Sequence, residues 1–182
     1  AVLAVILVAV VILEYDNIPL LRDYMAERIK AWLDKEYEPT GARWQTNQSL
    51  YAIGSGGFFG AGLGNSKEKY LYVSEPQSDF IFAIVAEELG LVGAIILLLL
   101  FLLLITRIFK IAKNQVNTFN RYLAFGIGLT FFVQVFINIG VVIGLLPITG
   151  ITLPIISYGG TSLILSISMI AIVLNINKYG DD

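Results

Sequence analysis

The sequence contains no cysteine and no histidine among its 182 residues. Without cysteine there is no disulfide and no thiol nucleophile. Without either residue, a zinc site and a Ser-His-Asp triad are also excluded. Any chemistry must therefore use carboxylates, amides, hydroxyls, lysine or arginine.

Charged residues are also scarce, at 14% of the chain, whereas hydrophobic residues make up 57%. The mean hydropathy is +0.77, and an average soluble domain has about a quarter charged residues. This composition predicts an integral membrane protein. The net charge of −2, without a basic stripe interleaved with aromatic residues, gives no support to nucleic-acid binding.

Long apolar runs predict the topology. The run at 1–13 is shorter than the roughly 20 residues that span a bilayer, so we interpret it as part of a transmembrane helix and expect the chain to be a fragment. Full transmembrane helices are predicted over 79–105, 122–146 and 157–176. The fold class is thus all-α, a polytopic bundle of transmembrane helices.

The segment 106–121 fixes the predicted orientation, because it carries Arg107, Lys110, Lys113 and Arg121 and no acid. Basic loops lie on the cytoplasmic side. By alternation, the tail 177–182 is cytoplasmic, and the loops 14–78 and 147–156 are extracytoplasmic.

The large loop has two recognisable parts. Apolar residues at helical spacing between Leu21 and Leu33 predict an amphipathic helix in the membrane interface. The glycine-rich stretch from Gln48 to Gly64 predicts tight turns or close backbone approach, with phosphate binding the less favoured alternative. It matches no nucleotide-binding pattern, so no nucleotide cofactor is expected.

Asp79 is the strongest functional candidate, because a charged loop runs through it directly into an apolar helix. Partial burial raises the pKa of a carboxylate, which suits a general base at a membrane surface. Glu87 and Glu88 follow in the same segment, where a central charge costs about 3 kcal/mol. They are either an interfacial helix extension or functional. Helical geometry from Asp79 favours Glu87 as the second carboxylate of a cavity.

Other polar positions suggest a groove beside Asp79. Gln134 and Asn138 are four residues apart and share a helix face, either for packing or to line a cavity. Prolines and glycines between 147 and 160 predict a broken helix end, which membranes tolerate only where backbone is buried in protein or lines a cavity.

Several ordered motifs resemble the SEDS family, which includes FtsW, RodA and SpoVE. They are Gly54–Gly57, Gly62–Ser66, Glu75–Ala83, Ala86–Gly90, Asn138–Gly140, Leu146–Gly150 and Ile156–Gly160. The resemblance implies a ten-helix membrane protein whose last four helices are present here. The residues of these motifs are most similar to the FtsW and SpoVE branch. Ser74 departs from the proline usual in the family.

The resemblance also implies a function. The family polymerises lipid II into β-1,4 glycan strands of peptidoglycan, in the bacterial cytoplasmic membrane, beside a class B penicillin-binding protein. Asp79 matches its essential aspartate, with the role of general base in an inverting glycosyl transfer. The leaving pyrophosphate could be neutralised by lysines, by other helices or by a divalent cation such as Mg²⁺ or Mn²⁺.

The predicted substrate-binding surface combines the loop, the spans and the broken helix end. Its members are Lys67, Lys69, Glu75, Gln77, Glu87, Gln134, Asn138, Ser157, Tyr158, Gly159 and Gly160. Two other functions remain open. A lipid II flippase would need polar groups spread across the bilayer, and a non-catalytic division scaffold would tolerate loss of Asp79.

Overall fold

The computed structural model describes residues 24–34, 42–66 and 79–179, and every regular element in these ranges is a helix. The helices are α1 (Tyr24–Leu33), α2 (Ala42–Gly56), α3 (Ile81–Asn114), α4 (Thr118–Val142) and α5 (Gly160–Tyr179). Three of them, α3, α4 and α5, are long and apolar enough to cross a membrane. The predicted class, an all-α polytopic membrane protein, is confirmed.

The predicted loop at 106–121 is wrong in extent, because α3 continues to Asn114 and α4 begins at Thr118. The basic residues end the apolar part of the span but not the helix, because Arg and Lys are good helix formers. The break is confined to 115–117. There the Asn117 side chain accepts a hydrogen bond of 2.9 Å from the Phe119 backbone and caps α4.

Helix α2 was not predicted, since its two terminal glycines and many polar residues favoured a loop. It forms because it packs against α3: Ala52 is buried, and a Cβ at Gly56 would overlap the carbonyl oxygen of Ala86. Of the predicted amphipathic helix, α1 is seen. The partial span 1–13 and Leu21 lie outside the described residues.

Helix α3 is the centre of the packing, with α4 and α2 against it. One apolar core lies at the end of the bundle where α3 begins, called here the Asp79 end, and joins α2, α3 and α4 through Ala52, Phe80, Phe101, Val135 and Val142. A second core toward the other end brings in α5, through Ile105, Phe131 and Val173. The Asp79 end is therefore built by three helices and the loop that follows α4.

Helix α3 is interrupted at Gly90, whose φ of 69° and ψ of −169° are not helical. The break separates a short first segment, which holds both glutamates, from a segment about 36 Å long. Backbone groups freed by the break pair with the glycine loop 57–62. The bonds are Ala61 N to Glu87 O at 2.9 Å, Gly62 N to Glu88 O at 3.0 Å, Leu91 N to Gly57 O at 2.9 Å and Val92 N to Phe58 O at 3.2 Å.

The pairing across the break requires glycine on both sides. A Cβ at Gly60 would overlap the carbonyl of Glu88 and approach the nitrogen of Gly90 to 2.7 Å, and one at Gly90 would overlap the backbone of residues 58 and 60. The close backbone approach predicted from the glycine density is therefore present.

We predict that Gly60→Ala destabilises the protein more than Gly64→Ala. Both glycines have a φ of +81°, so both substitutions carry the cost of a left-handed conformation, about 1–3 kcal/mol. Only Gly60 faces a backbone wall, since no atom of the described residues lies within 4 Å of a Cβ at Gly64. Thermal unfolding of the purified proteins in detergent measures the difference, and equal midpoints would contradict the close approach.

Candidate functional site

Asp79 lies in a turn before α3, is partly buried, and is followed by Phe80, which is 2% exposed. Because α3 begins at Ile81, the helical angles assumed between Asp79 and the two glutamates do not apply. The prediction that helical geometry relates Asp79 to Glu87 is therefore wrong. Asp79 lies in a turn, so the contacts that hold this turn set the direction of its carboxylate.

Asn138 of α4 holds the turn. Its side-chain amide donates one hydrogen bond of 2.9 Å to the backbone carbonyl of Asp79 and another of 2.7 Å to the carbonyl of Ile151. An amide oxygen could not accept from two carbonyl oxygens, so the chemistry fixes the orientation of the group. Asn138 is 1% exposed and joins the Asp79 turn to the loop 143–159.

The loop 143–159 forms a wall beside the Asp79 carboxylate. Gly150 has a φ of +73°, and a Cβ built on it would lie 3.5 Å from Asp79 Oδ2. A Cβ here would make only an ordinary van der Waals contact with the carboxylate, so the positive φ is what requires glycine, and the neighbouring carbonyl of Ile151 is held by Asn138.

Side chains from α1 and α2 fasten the same loop and the end of α4. Arg28 donates to the carbonyl of Ile148 at 2.9 Å, Trp32 to Gly144 at 3.2 Å, and Ser49 to Val142 at 2.8 Å. These three contacts are not predicted by the sequence. Their partners are 93 to 120 residues apart in the chain, so no local spacing could reveal them.

The end of the loop, 153–160, is a compact turn. Ser157 is buried, its hydroxyl accepts a 2.7 Å hydrogen bond from the backbone of Leu153, and its own backbone donates to the carbonyl of Leu153. Ile155 has a φ of 69°, a costly conformation for a β-branched residue. The turn is held by these local bonds, and by a 3.0 Å contact between the hydroxyls of Thr152 and Ser162.

The remaining predicted residues of this turn differ in exposure. Tyr158 is 79% exposed, Gly159 accepts a backbone bond from Leu163, and Gly160 begins α5. Tyr158 is thus the residue of this group that a substrate could reach most easily. For Ser157, whose hydroxyl is engaged inside the turn, substrate contact stays a prediction.

Glu87 is turned into the protein. Its side chain is 2% exposed and accepts a 2.5 Å hydrogen bond from the hydroxyl of Ser66. The neighbouring Glu88 is partly buried, and its Oε1 has no hydrogen-bond partner within the described ranges. The structure therefore joins Glu87 to Ser66, which lies four residues beyond the glycine loop 57–62 and directly before Lys67 in the sequence.

The other predicted binding residues are placed only in part. Gln134 is partly buried, one turn before Asn138. Lys67, Lys69, Glu75 and Gln77 lie outside the described residues, so their proposed contacts stay predictions.

An apolar groove runs from the loop down α3. Its volume is about 470 Å³. It extends from Ile156, in the turn 153–160, along Val85, Val92, Ile96 and Leu100 of α3. An apolar groove of this kind suits the hydrocarbon part of an amphiphile.

We predict that Ser66→Ala lowers the free energy of unfolding by about 1–3 kcal/mol, because the buried Glu87 carboxylate loses a donor. In a double-mutant cycle with Glu87→Gln the two effects should be non-additive. Ser55→Ala is the matched control, since within the described ranges the Ser55 hydroxyl bonds only to Ala52 of its own helix. Equilibrium unfolding in mixed micelles measures the cycle, and additive effects of Ser66→Ala and Glu87→Gln would show that the contact is energetically silent.

Sequence comparisons find curated relatives of this chain. Stage V sporulation protein E of Bacillus subtilis is 46% identical over 156 residues, which cover 86% of this chain and 43% of that protein. A probable peptidoglycan glycosyltransferase FtsW of Trichlorobacter lovleyi is 46% identical over 154 residues, covering 85% and 40%. The chain thus spans less than half the length of these relatives.

Solved structures share the fold. A structure described as the structural coordination of polymerization and crosslinking by a peptidoglycan synthase complex matches 98% of this chain and 49% of its own, with a TM-score of 0.71 and 28% identity. The rod shape determining protein RodA of Thermus thermophilus matches 74% of this chain and 40% of its own, with a TM-score of 0.57 and 36% identity. The family of cell cycle proteins FtsW/RodA/SpoVE matches residues 1–181. The chain therefore belongs to the FtsW/RodA/SpoVE family, as its motifs predicted.

Proposed function

We propose that this chain forms the Asp79-bearing part of a peptidoglycan glycosyltransferase that polymerises lipid II, with Asp79 as the general base. The observation that carries the proposal is the placement of Asp79: a partly buried carboxylate, in a turn held by Asn138, beside a glycine of the facing loop. The name of the FtsW relative supports the reaction class.

The geometry suits a base that acts on a sugar hydroxyl. Asp79 is only partly buried, whereas Glu87 is enclosed and bonded to Ser66. A carboxylate must come within about 2.6–3.2 Å of the hydroxyl whose proton it takes. Of the acids in the described ranges, Asp79 stands beside the broken helix end, where a head group could enter.

In the proposed reaction, Asp79 takes the proton from the 4-hydroxyl of the acceptor N-acetylglucosamine as that oxygen attacks C1 of the donor N-acetylmuramic acid. The new bond is the β-1,4 glycosidic bond. The bond from C1 to the lipid pyrophosphate breaks, and its electron pair leaves with the pyrophosphate. Attack opposite the leaving group inverts the configuration at C1. The glycosidases that use two carboxylates cleave a poorer leaving group, so one base can suffice here.

The departing pyrophosphate needs positive charge. We propose Lys67 or Lys69 for this role, with basic groups of other helices and a divalent cation as further sources. No three acidic residues in the described ranges lie close enough to form a metal cage. A cation bound mainly by the pyrophosphate itself would fit such a site, since Mg²⁺ usually binds through few carboxylates together with substrate phosphates.

The setting of the reaction follows the same proposal. The apolar groove below Ile156 would receive part of the lipid chain, and the Asp79 end would face the outside of the bacterial cytoplasmic membrane. A class B penicillin-binding protein would crosslink the product. The synthase complex that shares this fold supports such a partner, and the relatives' names support a role in division or sporulation.

We predict that Asp79→Asn lowers glycan polymerisation by about 10²–10⁴-fold, the usual contribution of general acid–base catalysis. The substitution keeps the shape of the side chain and removes its basicity. The measurement uses the full-length protein with its transpeptidase partner, fluorescent lipid II and a divalent cation, and a gel that resolves glycan length. Asp34→Asn, the same change at an exposed position at the end of α1, is the matched control.

Polymer from the wild type and Asp34→Asn, but not from a folded Asp79→Asn, is the expected result. Polymer from all three would overturn the role of Asp79 as base. If no protein makes polymer, a lipid II transport assay in vesicles tests the flippase alternative, and transport that survives Asp79→Asn would place the carboxylate outside the chemistry.

A further inference from the structure

Asn138 occupies an unusual position for a polar residue of an apolar helix. It is 1% exposed, and both hydrogens of its amide are used by carbonyls outside α4. A buried polar group in such a helix would normally be satisfied within the helix or by a neighbouring helix. Asn138 instead reaches two irregular segments, the turn before α3 and the loop after α4.

These two segments are the two sides of the Asp79 site. One amide hydrogen holds the carbonyl of Asp79 itself, and the other holds Ile151, the residue after Gly150. Gly150 is the residue beside Asp79 Oδ2. The Ile148 carbonyl at the start of this stretch is held by Arg28. The segment 148–151 is therefore held at both ends, and Asn138 joins its far end to the backbone carbonyl of Asp79.

We propose that Asn138 is a positioning residue for catalysis: it fixes the direction of the Asp79 carboxylate by holding the Asp79 and Ile151 carbonyls together. The inference rests on the proposed function and adds to it a residue that acts through Asp79. Asn138 was predicted as a substrate contact, but both of its donors are engaged within the protein. Its Oδ1 is buried and has no hydrogen-bond partner in the described ranges.

A positioning role predicts a specific kinetic effect. Displacing a catalytic group by about 1 Å costs roughly 10²-fold in rate, whereas the binding of a long lipid-linked substrate depends on many other contacts. Loss of the amide should therefore lower kcat and leave KM nearly unchanged, the pattern of an interaction needed mainly in the transition state.

The test compares Asn138→Leu, which keeps the volume and removes both donors, with Asn138→Asp, which keeps the shape and offers at most one donor. In the full-length protein with its transpeptidase partner and fluorescent lipid II, we expect kcat to fall about 10–100-fold in Asn138→Leu and at least as far in Asn138→Asp, whose ionised carboxylate would face both carbonyls without a donor. KM should change by less than about threefold. Thr130→Val is the control on the same helix, because the exposed Thr130 hydroxyl bonds, among the residues that the structure describes, only to Gly126 of α4.

Two results would overturn the inference: wild-type kcat per folded molecule in Asn138→Leu, or a raised KM with unchanged kcat, which would make Asn138 a substrate contact. If Asn138→Leu does not fold, Asn138→Asp decides by the same criteria. Asp79→Asn is measured in parallel. Activity in that variant would defeat the proposed function, whereas an inactive Asp79→Asn beside a fully active Asn138→Leu would defeat only the positioning role.

Discussion

Backbone carbonyl and amide groups that are left unpaired where apolar helices begin, break or end must find partners inside the protein, because a hydrocarbon environment offers none. The Asp79 end has three such places: the turn before α3, the break at Gly90 and the loop after α4. At the break, the glycine loop 57–62 supplies both donors and acceptors. At the other two places, side chains such as Asn138 and Arg28 donate to the carbonyls.

The same bonds give the candidate site its shape. Each donor that satisfies a carbonyl also fixes the segment that carries it, so the carboxylate of Asp79, the wall at Gly150 and the turn at Ser157 are held in one arrangement. A general base gains from being held near its reacting atom before the substrate arrives. In this protein, the side chains that donate to otherwise unpaired backbone carbonyls therefore also hold the proposed base in position.

The sequence alone predicts those features that short-range patterns control. The spans follow from long apolar runs, the close approach of the glycine loop from its composition, and the position of Asp79 just before a long apolar helix from the charged loop that meets an apolar run. Helix α2 was missed because its packing against α3 outweighs weak local signals, and the helical ends of 106–121 were missed because Arg and Lys prolong α3 beyond its apolar part. The partners of Arg28, Ser49 and Asn138 could not be predicted, since each is set by tertiary structure across 13 to 120 residues.

The most direct measurement is a structure of the full-length protein with an unreactive lipid II donor analogue and an acceptor bound. The account predicts that the acceptor 4-hydroxyl oxygen lies within about 2.6–3.2 Å of a carboxylate oxygen of Asp79, with the Asn138 amide still on the Asp79 carbonyl. An acceptor hydroxyl beside another carboxylate, such as Glu75, with Asp79 out of hydrogen-bond reach, would contradict it.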